Sequence, residues 1–175
     1  MNHAISTFTS TSASTSAAMA ATQPSLVGLV VPEFTVPATG GDFMLSAHLG
    51  HPVVLYFYPK DNTPGCTTQA QQFRDLHAGF IKAGCAVFGV SRDSLKSHEN
   101  FKAKFGLPFE LISDIEGTVC RMFDVVKNKM LYGKKVLGIE RSTFLIDAKG
   151  VLRHEWRATK ADGNAATVLD AVMTL

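Results

Sequence analysis

The sequence predicts an α/β fold, built as a three-layer sandwich with a mixed central β-sheet and an N-terminal β-hairpin. From Leu26 onward, short apolar runs alternate with stretches whose apolar residues recur at helical spacing, which indicates alternating strands and helices. The run from Val53 to Tyr58 is almost continuously apolar, as is typical of a parallel sheet covered on both faces. Near the C-terminus, two strand-like runs flank a tight turn, which adds an antiparallel pair to the sheet.

The N-terminal segment differs in composition from the rest of the chain. Residues 1–25 consist mainly of Ser, Thr and Ala and contain no Lys or Arg. Such a segment buries too little apolar surface to offset the entropy of ordering, so we expect a disordered tail. It lacks the pattern of a secretory signal or an organelle transit peptide. One domain is expected to follow, over residues 26–175.

The first elements of this domain are a hairpin, a strand and a helix. Phe34 to Val36 and Phe43 to Ser46 flank a glycine-containing turn and predict the hairpin. Val53 to Tyr58 predicts the strand, and the stretch from Thr67 to about Ala83 predicts an amphipathic helix. The side chains that define its buried face are Ala70, Phe73, Leu76, His77 and Phe80.

The alternation continues to the C-terminus. Asp93 or Ser94 is expected to cap a helix that Gly106 stops. The stretch after Phe123, as far as Gly138, is rich in Lys and Gly and has no definite assignment. The other predicted elements are strands at Ala86–Val90, Phe109–Ile112 (a third central strand), Ser142–Ile146 and Val151–Trp156, and helices at Glu116–Phe123 and Asn164–Leu175.

Composition excludes several classes of function. The formal net charge is +2 and is spread along the chain, so nucleic acid is not an expected partner. No apolar run reaches the roughly 18 residues of a membrane span. The three cysteines are too few and too scattered for a disulfide framework, which predicts a reducing, cytoplasmic location. No C-x-x-C pair occurs, so neither a zinc knuckle nor a dithiol is expected, and no metal or cofactor is predicted.

Cys66 stands where the loop after the Val53–Tyr58 strand turns into a helix. In open α/β sheets, functional sites collect at the carboxyl ends of the strands, where helices present their amino-terminal ends. Free N–H groups and the helix dipole favour a thiolate over a thiol at that position. The alternative is that Cys66 is a small buried apolar residue, and position alone does not decide between the two.

The residues around Cys66 resemble the active-site signature of the peroxiredoxins, Pro-x-x-x-Thr-x-x-Cys, which stands here as PKDNTPGC from Pro59. The longer stretch YFYPKDNTPGCTTQAQQFRDL, together with ERSTFLID from Glu140 to Asp147, is similar to the Q-type branch, or bacterioferritin comigratory protein group. The similarity extends from about Leu26 to the C-terminus. It implies a thioredoxin-like fold and reduction of hydroperoxides.

This chemistry needs hydrogen-bond donors around the sulfur, because charge develops on the leaving oxygen when the O–O bond breaks. The hydroxyl of Thr63 can donate to the thiolate or the peroxide. The backbone N–H groups of Gly65 and Cys66 can donate as well, and Gly65 permits close approach. Pro59 has no N–H and can cover the thiolate with an apolar ring.

The resemblance also assigns roles to Arg141 and Gln69. Arg141 precedes the strand STFLID and would supply a permanent positive charge to the sulfur and the substrate. An arginine at a strand end is otherwise usually solvated. Gln69 lies one helical turn after Cys66 and matches a position where the family carries Glu or Gln to orient the arginine, so we place it at the substrate site.

The sequence departs from the family in its resolving cysteine. Many Q-type members have a cysteine five residues after the first, where this chain has Gln71, and others have one in the helix predicted after Ser94, which contains none here. Cys85 is expected in the core, at the opposite end of the sheet from Cys66. Cys120 remains a possible resolving residue. We therefore favour a one-cysteine monomer that is reduced by an external thiol: thioredoxin, glutaredoxin or a small thiol.

Two other functions remain open at this stage. A thioredoxin-like module could sense peroxide through Cys66 without turnover. A Cys–His acyl-transfer enzyme would need a basic histidine, and sequence context singles out none of the candidates His48, His51, His77, His98 and His154. Lys60 and Asp61 lie beside the site and could tune it electrostatically, and the Lys127–Lys135 stretch could help to shape the pocket mouth. The bland expectation for both is that exposed loop charges are solvated.

Overall fold

The computed structural model describes residues 24–175, so the tail predicted for residues 1–25 lies outside the described residues apart from its last two. The strands are β1 (Thr35–Val36), β2 (Phe43–Met44), β3 (Val53–Phe57), β4 (Ala86–Ser91), β5 (Glu110–Ser113), β6 (Val126–Leu131), β7 (Lys134–Ile139), β8 (Ser142–Ile146) and β9 (Leu152–Trp156). The α-helices are α1 (Pro64–Asp75), α2 (His77–Lys82), α3 (Leu95–Phe105), α4 (Thr118–Met122) and α5 (Asn164–Met173), and a 3-10 helix at Leu45–His48 follows β2.

A five-stranded mixed sheet forms the centre of the molecule, in the order β5-β4-β3-β8-β9. The strands β3, β4 and β5 are parallel, whereas β8 is antiparallel to both β3 and β9. The register pairs Phe57, the last residue of β3, with Ser142, the first residue of β8. The loop that leaves β3 and the residue that precedes β8 therefore lie at the same end of the sheet.

The sheet separates two hydrophobic cores. Leu55 and Phe57 of β3 pack into one core, and Val54 and Tyr56 pack into the other, because successive side chains of a strand point to opposite faces. The N-terminal segment and α4 pack on the sheet in the first core, whereas α1, α2, α3 and α5 pack on it in the second. Both faces are covered, which explains why the central strands are apolar throughout.

The helix predicted from Thr67 to about Ala83 differs from the observed structure in two ways. It begins earlier, at Pro64, and it is interrupted at Leu76, so that α1 and α2 are separate helices. Both helices bury the same side of this segment, since the rings of Phe73 and Phe80 are both fully buried and lie 5.7 Å apart. The apolar periodicity therefore continues across the interruption and does not reveal it.

The strand predicted for Phe109–Ile112 is observed as β5, but it lies at the edge of the sheet and not at its centre. Its sequence is apolar because Leu111 and Ile112 are fully buried in opposite cores. The segment around Pro37 to Thr39 covers the outer edge of β5, which pairs with no other strand of the sheet. There the N–H of Thr39 donates to the carbonyl of Leu111. A covered edge strand thus has the same sequence pattern as a central one.

The stretch that the sequence left unassigned forms a separate two-stranded antiparallel hairpin, β6 and β7. Most of its side chains are exposed, among them Tyr132 at the tip. Its lysines face solvent in part, as predicted, although Lys129 donates to the carbonyl of Ile139. The two outer hairpins, β1–β2 and β8–β9, and the cap of α3 by Ser94 follow the prediction.

None of the helices in residues 24–175 has the length and hydropathy that a membrane span requires.

Candidate active site

Cys66 lies in the first turn of α1, directly after the loop that leaves β3. Pro64 opens the helix, at a position where the N–H that proline lacks would have no partner. The N-cap residue Thr63 makes no side-chain capping bond, and the N–H groups of Gly65 and Cys66 have no acceptor within residues 24–175. The backbone therefore presents free donors and the positive end of the helix dipole to the thiol.

The guanidinium of Arg141 contacts the sulfur of Cys66. Its Nη2 donates to Cys66 Sγ at 3.5 Å, although the two residues are 75 positions apart in the chain. The register of the sheet causes this contact, because Arg141 immediately precedes β8 at the end where β3 leads to α1. A Cβ atom at Gly65 would lie 3.2 Å from the same Nη2, so glycine at this position gives the guanidinium the room it needs.

Gln69 is fully buried and holds the other side of the guanidinium. Arg141 Nη1 donates to Gln69 Oε1 at 2.6 Å. Since the Gln69 side chain has no exposed surface, its polar atoms contact protein groups: Oε1 contacts Arg141 and Nε2 contacts Asn164. This geometry fits the orienting role that the resemblance implies more closely than direct binding of a substrate.

The structure places Thr63 and Pro59 on the loop before α1. The hydroxyl of Thr63 donates to the carbonyl of Lys60 at 2.8 Å, so its proton is engaged within the loop and must rotate before it can reach a thiolate or peroxide. Pro59 is exposed to solvent. Its ring is therefore not packed into the core in this structure.

Cys66 itself is only 2% exposed, so it is shielded from bulk water beneath the Arg141 side chain. Among the described residues, the side chain that donates to its sulfur is that of Arg141, and no histidine forms a hydrogen bond to it. Among the histidines of residues 24–175, His98 has a fully buried side chain, and its two ring nitrogens contact Asp61 and the carbonyl of Ile112. The geometry thus supplies a cation for a thiolate and no base for a Cys–His pair.

The other two cysteines are buried away from Cys66. Cys85 precedes β4, at the end of the sheet opposite to Cys66, and burial raises the pKa of its thiol to about 12. Cys120 packs in the core on the other face of the sheet. Burial, and then the nearby carboxylate of Asp114, raise the pKa of the Cys120 thiol well above its ordinary value. Both side chains are therefore thiols at neutral pH and poor nucleophiles.

The expectation that Asp61 is solvated is wrong. This loop carboxylate is buried and accepts hydrogen bonds from the hydroxyls of Tyr58 at 2.7 Å and Ser97 at 2.8 Å. His98 Nδ1 lies 2.7 Å from the same carboxylate, and its Nε2 lies 2.9 Å from the carbonyl of Ile112. Because Ser97 and His98 belong to a distant helix, the residues next to Asp61 in the chain do not reveal this network, which ties the loop before α1 to α3.

The chain is similar in sequence to several known proteins. The profile of the AhpC/TSA family matches residues 27–155. Peroxiredoxin Bcp of Xanthomonas campestris is 54% identical over 133 residues, which are 76% of this chain and 83% of the relative. Peroxiredoxin Bcp of Bacillus subtilis is 45% identical over 147 residues, which are 83% of this chain and 94% of the relative.

Solved structures show the same similarity. One is the bacterioferritin comigratory protein of X. campestris, described for its alkyl peroxide reduction activity. It aligns with a TM-score of 0.77 at 51% identity, and the alignment covers 81% of this chain and 90% of that protein's chain. A cysteine mutant of Xylella fastidiosa PrxQ aligns with a TM-score of 0.80 at 40% identity, over 85% of this chain and 95% of its own.

Proposed function

Because this chain belongs to the AhpC/TSA family, as one of its Bcp/PrxQ peroxiredoxins, we propose that Cys66 is the residue through which it reduces hydroperoxides. The family membership confirms the resemblance drawn from the sequence, the thioredoxin-like fold and the activity of a thiol peroxidase. The observation that carries the assignment to Cys66 is its contact with Arg141, at a helix start with free N–H groups. That contact joins two distant motifs around one sulfur.

In the first step, the Cys66 thiolate attacks one oxygen of the hydroperoxide in line with the O–O bond. A sulfur–oxygen bond forms, the O–O bond breaks, and the other oxygen leaves as alkoxide or hydroxide and takes up a proton. The products are an alcohol or water and a sulfenic acid on Cys66. The sulfur is oxidised by two electrons, and the peroxide is reduced by the same two.

The residues around the sulfur would assist this step in different ways. Arg141 stabilises the thiolate and the charge that develops on the leaving oxygen, since its donors can contact both atoms. The free N–H groups of Gly65 and Cys66 lie in the same helical turn and would hold the substrate oxygen. Thr63 would join them once its hydroxyl rotates away from the Lys60 carbonyl. Pro59 would limit the access of water from the loop side.

We assign the second half-reaction to an external thiol. Cys120 packs on the opposite face of the sheet and Cys85 lies at its opposite end, and a disulfide requires Cα atoms within about 7 Å. An external thiolate would therefore attack the sulfenic sulfur and form a mixed disulfide, and the displaced hydroxide would take up a proton and leave as water. A second thiol then releases the Cys66 thiolate and leaves the reductant as a disulfide.

The identity of the reductant belongs to the proposal as well. A thioredoxin, a glutaredoxin or a small thiol would each supply the two electrons. Three reduced cysteines without a disulfide suit a reducing, cytoplasmic compartment. We also propose a monomer as the working unit, as expected from the resemblance to the Q-type branch.

Steady-state peroxide consumption with thioredoxin and its reductase tests the assignment. Cys66→Ser should abolish turnover, because an alcohol at this position forms no nucleophile at neutral pH. Cys85→Ser is the matched control and should keep most of the wild-type rate, since Cys85 lies at the other end of the sheet. Residual turnover in Cys66→Ser would refute the assignment. A wild-type protein that is oxidised once and does not turn over with thioredoxin, glutaredoxin or dithiothreitol would instead be a peroxide sensor.

A further inference from the structure

A chain of hydrogen bonds leads from the Arg141 guanidinium into the interior of the protein. Arg141 Nη1 donates to Gln69 Oε1 at 2.6 Å, and Gln69 Nε2 donates to Asn164 Oδ1 at 3.0 Å. The hydroxyl of Thr143 donates to the same Asn164 oxygen at 2.8 Å. The Asn164 Nδ2 group lies 3.4 Å from the hydroxyl of Thr159, whose N–H donates to the carbonyl of Arg141. The chain of contacts thus returns to the residue from which it started.

The direction of each bond follows from the charge at one end. A guanidinium can only donate, so Gln69 must turn its amide oxygen toward Arg141. Its NH₂ group then faces Asn164, so the amide oxygen of Asn164 must accept the hydrogen bond. The hydroxyl of Thr143 donates to that oxygen from a second side. Asn164 is therefore the acceptor that fixes which way the Gln69 amide points.

The network joins three elements and excludes water. Gln69 belongs to α1, Thr143 to β8, and Asn164 is the first residue of α5. The side chains of Gln69 and Thr143 are fully buried, and Asn164 is 3% exposed. Water cannot readily replace a partner that is lost at this depth, so each removed bond leaves a polar group unsatisfied or forces the side chains to reorient.

We propose that Asn164 is a positioning residue for peroxide reduction, which holds Gln69 and through it the Arg141 guanidinium at the sulfur of Cys66. The proposal rests on the proposed roles of Cys66 and Arg141. Asn164 does not contact the sulfur. It acts only by fixing, through Gln69, the Arg141 guanidinium that does. Displacement of a catalytic group by about 1 Å can cost roughly 100-fold in rate, so a distant amide can affect the chemistry strongly.

The test is a double-mutant cycle on the single-turnover rate constant for oxidation of Cys66 by hydrogen peroxide. Asn164→Ala is expected to lower this rate constant about tenfold, and Gln69→Ala by a similar factor. The double variant should be no slower than the slower single variant, because both changes break one path. Asn164→Asp keeps the acceptor oxygen and should restore the rate to within about threefold of wild type.

Several outcomes would overturn the proposal. A wild-type rate in Asn164→Ala, or losses that multiply in the double variant, would show that Asn164 does not act through Gln69. A rate in Asn164→Asp as low as in Asn164→Ala would show that the acceptor oxygen is not the cause. If these outcomes occur while Cys66→Ser is inactive, the inference fails and the assignment of Cys66 stands.

A second variant covers the case in which Asn164→Ala does not fold. Thr143→Val removes the other donor to Asn164 Oδ1 and keeps the asparagine. It is expected to slow oxidation about threefold in the wild-type background and to have no further effect in the Gln69→Ala background. An unchanged rate, or the same fractional loss in both backgrounds, would contradict the proposed path.

Discussion

At the scale of single residues, the site depends on a permanent cation beside a sulfur that has little contact with water. Arg141 donates to Cys66 from one nitrogen and to Gln69 from another. This double contact uses the planar fork of the guanidinium, which a lysine ammonium cannot reproduce. The charge and the geometry therefore make separate contributions, and a substitution that keeps only the charge distinguishes them.

Arg141→Lys tests this distinction. Lysine keeps the positive charge but cannot contact Cys66 and Gln69 at once, so we expect the rate constant of Cys66 oxidation by peroxide to fall roughly 100-fold. Stopped-flow measurement under single-turnover conditions gives this constant directly.

The control is Arg153→Lys, because Arg153 is exposed and forms a surface ion pair with Asp147. It should leave the oxidation rate unchanged. An Arg141→Lys variant that reacts as fast as wild type would show that charge alone suffices and that the fork geometry has no role.

The position of Cys66 at a strand-to-helix junction made it a candidate, and the family resemblance made Arg141 its partner. The resemblance also pointed to Gln69 as the residue that orients the arginine. No comparable sequence pattern indicates a role for Asn164 or the burial of Asp61. Those two side chains bond to partners in other elements, and a pattern in the neighbouring sequence does not predict such partners.

At the scale of elements, the strand-to-helix junction places the thiol and a cap fixes the neighbouring helix. Helix α3 begins after Ser94, whose hydroxyl accepts from the N–H of Ser97 at 3.2 Å. Ser97 in turn donates to Asp61 on the loop before α1. The start of α3 thus supports the active-site loop as well as its own helix.

Ser94→Ala is expected to lower the free energy of unfolding by about 1 kcal/mol, because the N–H of Ser97 loses its capping acceptor. Urea denaturation followed by circular dichroism measures the change. Asn100→Ala, an exposed substitution in the middle of the same helix, is the matched control and should have little effect or stabilise slightly. Equal losses in the two variants would show that the cap contributes nothing.

Elements with a strong apolar period were predictable, and the exceptions have physical causes. The β6–β7 hairpin was missed because it is exposed on both sides and so has no alternation between buried and exposed residues. The break at Leu76 was missed because both helices bury one continuous face. The edge position of β5 was missed because another segment covers its free edge.

At the scale of the whole molecule, the mixed sheet creates the site by bringing distant segments to one end. The antiparallel pairing of β3 with β8 sets Arg141 beside the start of α1. The same sheet separates Cys66 from Cys120, which lies in the other core. Both the contact between Arg141 and Cys66 and the separation of Cys66 from Cys120 therefore follow from the topology of the sheet.

The central claim is that Cys66 alone is oxidised and that no internal cysteine resolves it. Mass spectrometry of the intact protein after one equivalent of hydrogen peroxide, with a sulfenic-acid trap present, tests this claim most directly. We expect a single adduct that maps to Cys66 and is unchanged in Cys120→Ser. A product that has lost two hydrogens, with Cys66 joined to Cys120 or Cys85, would contradict the account.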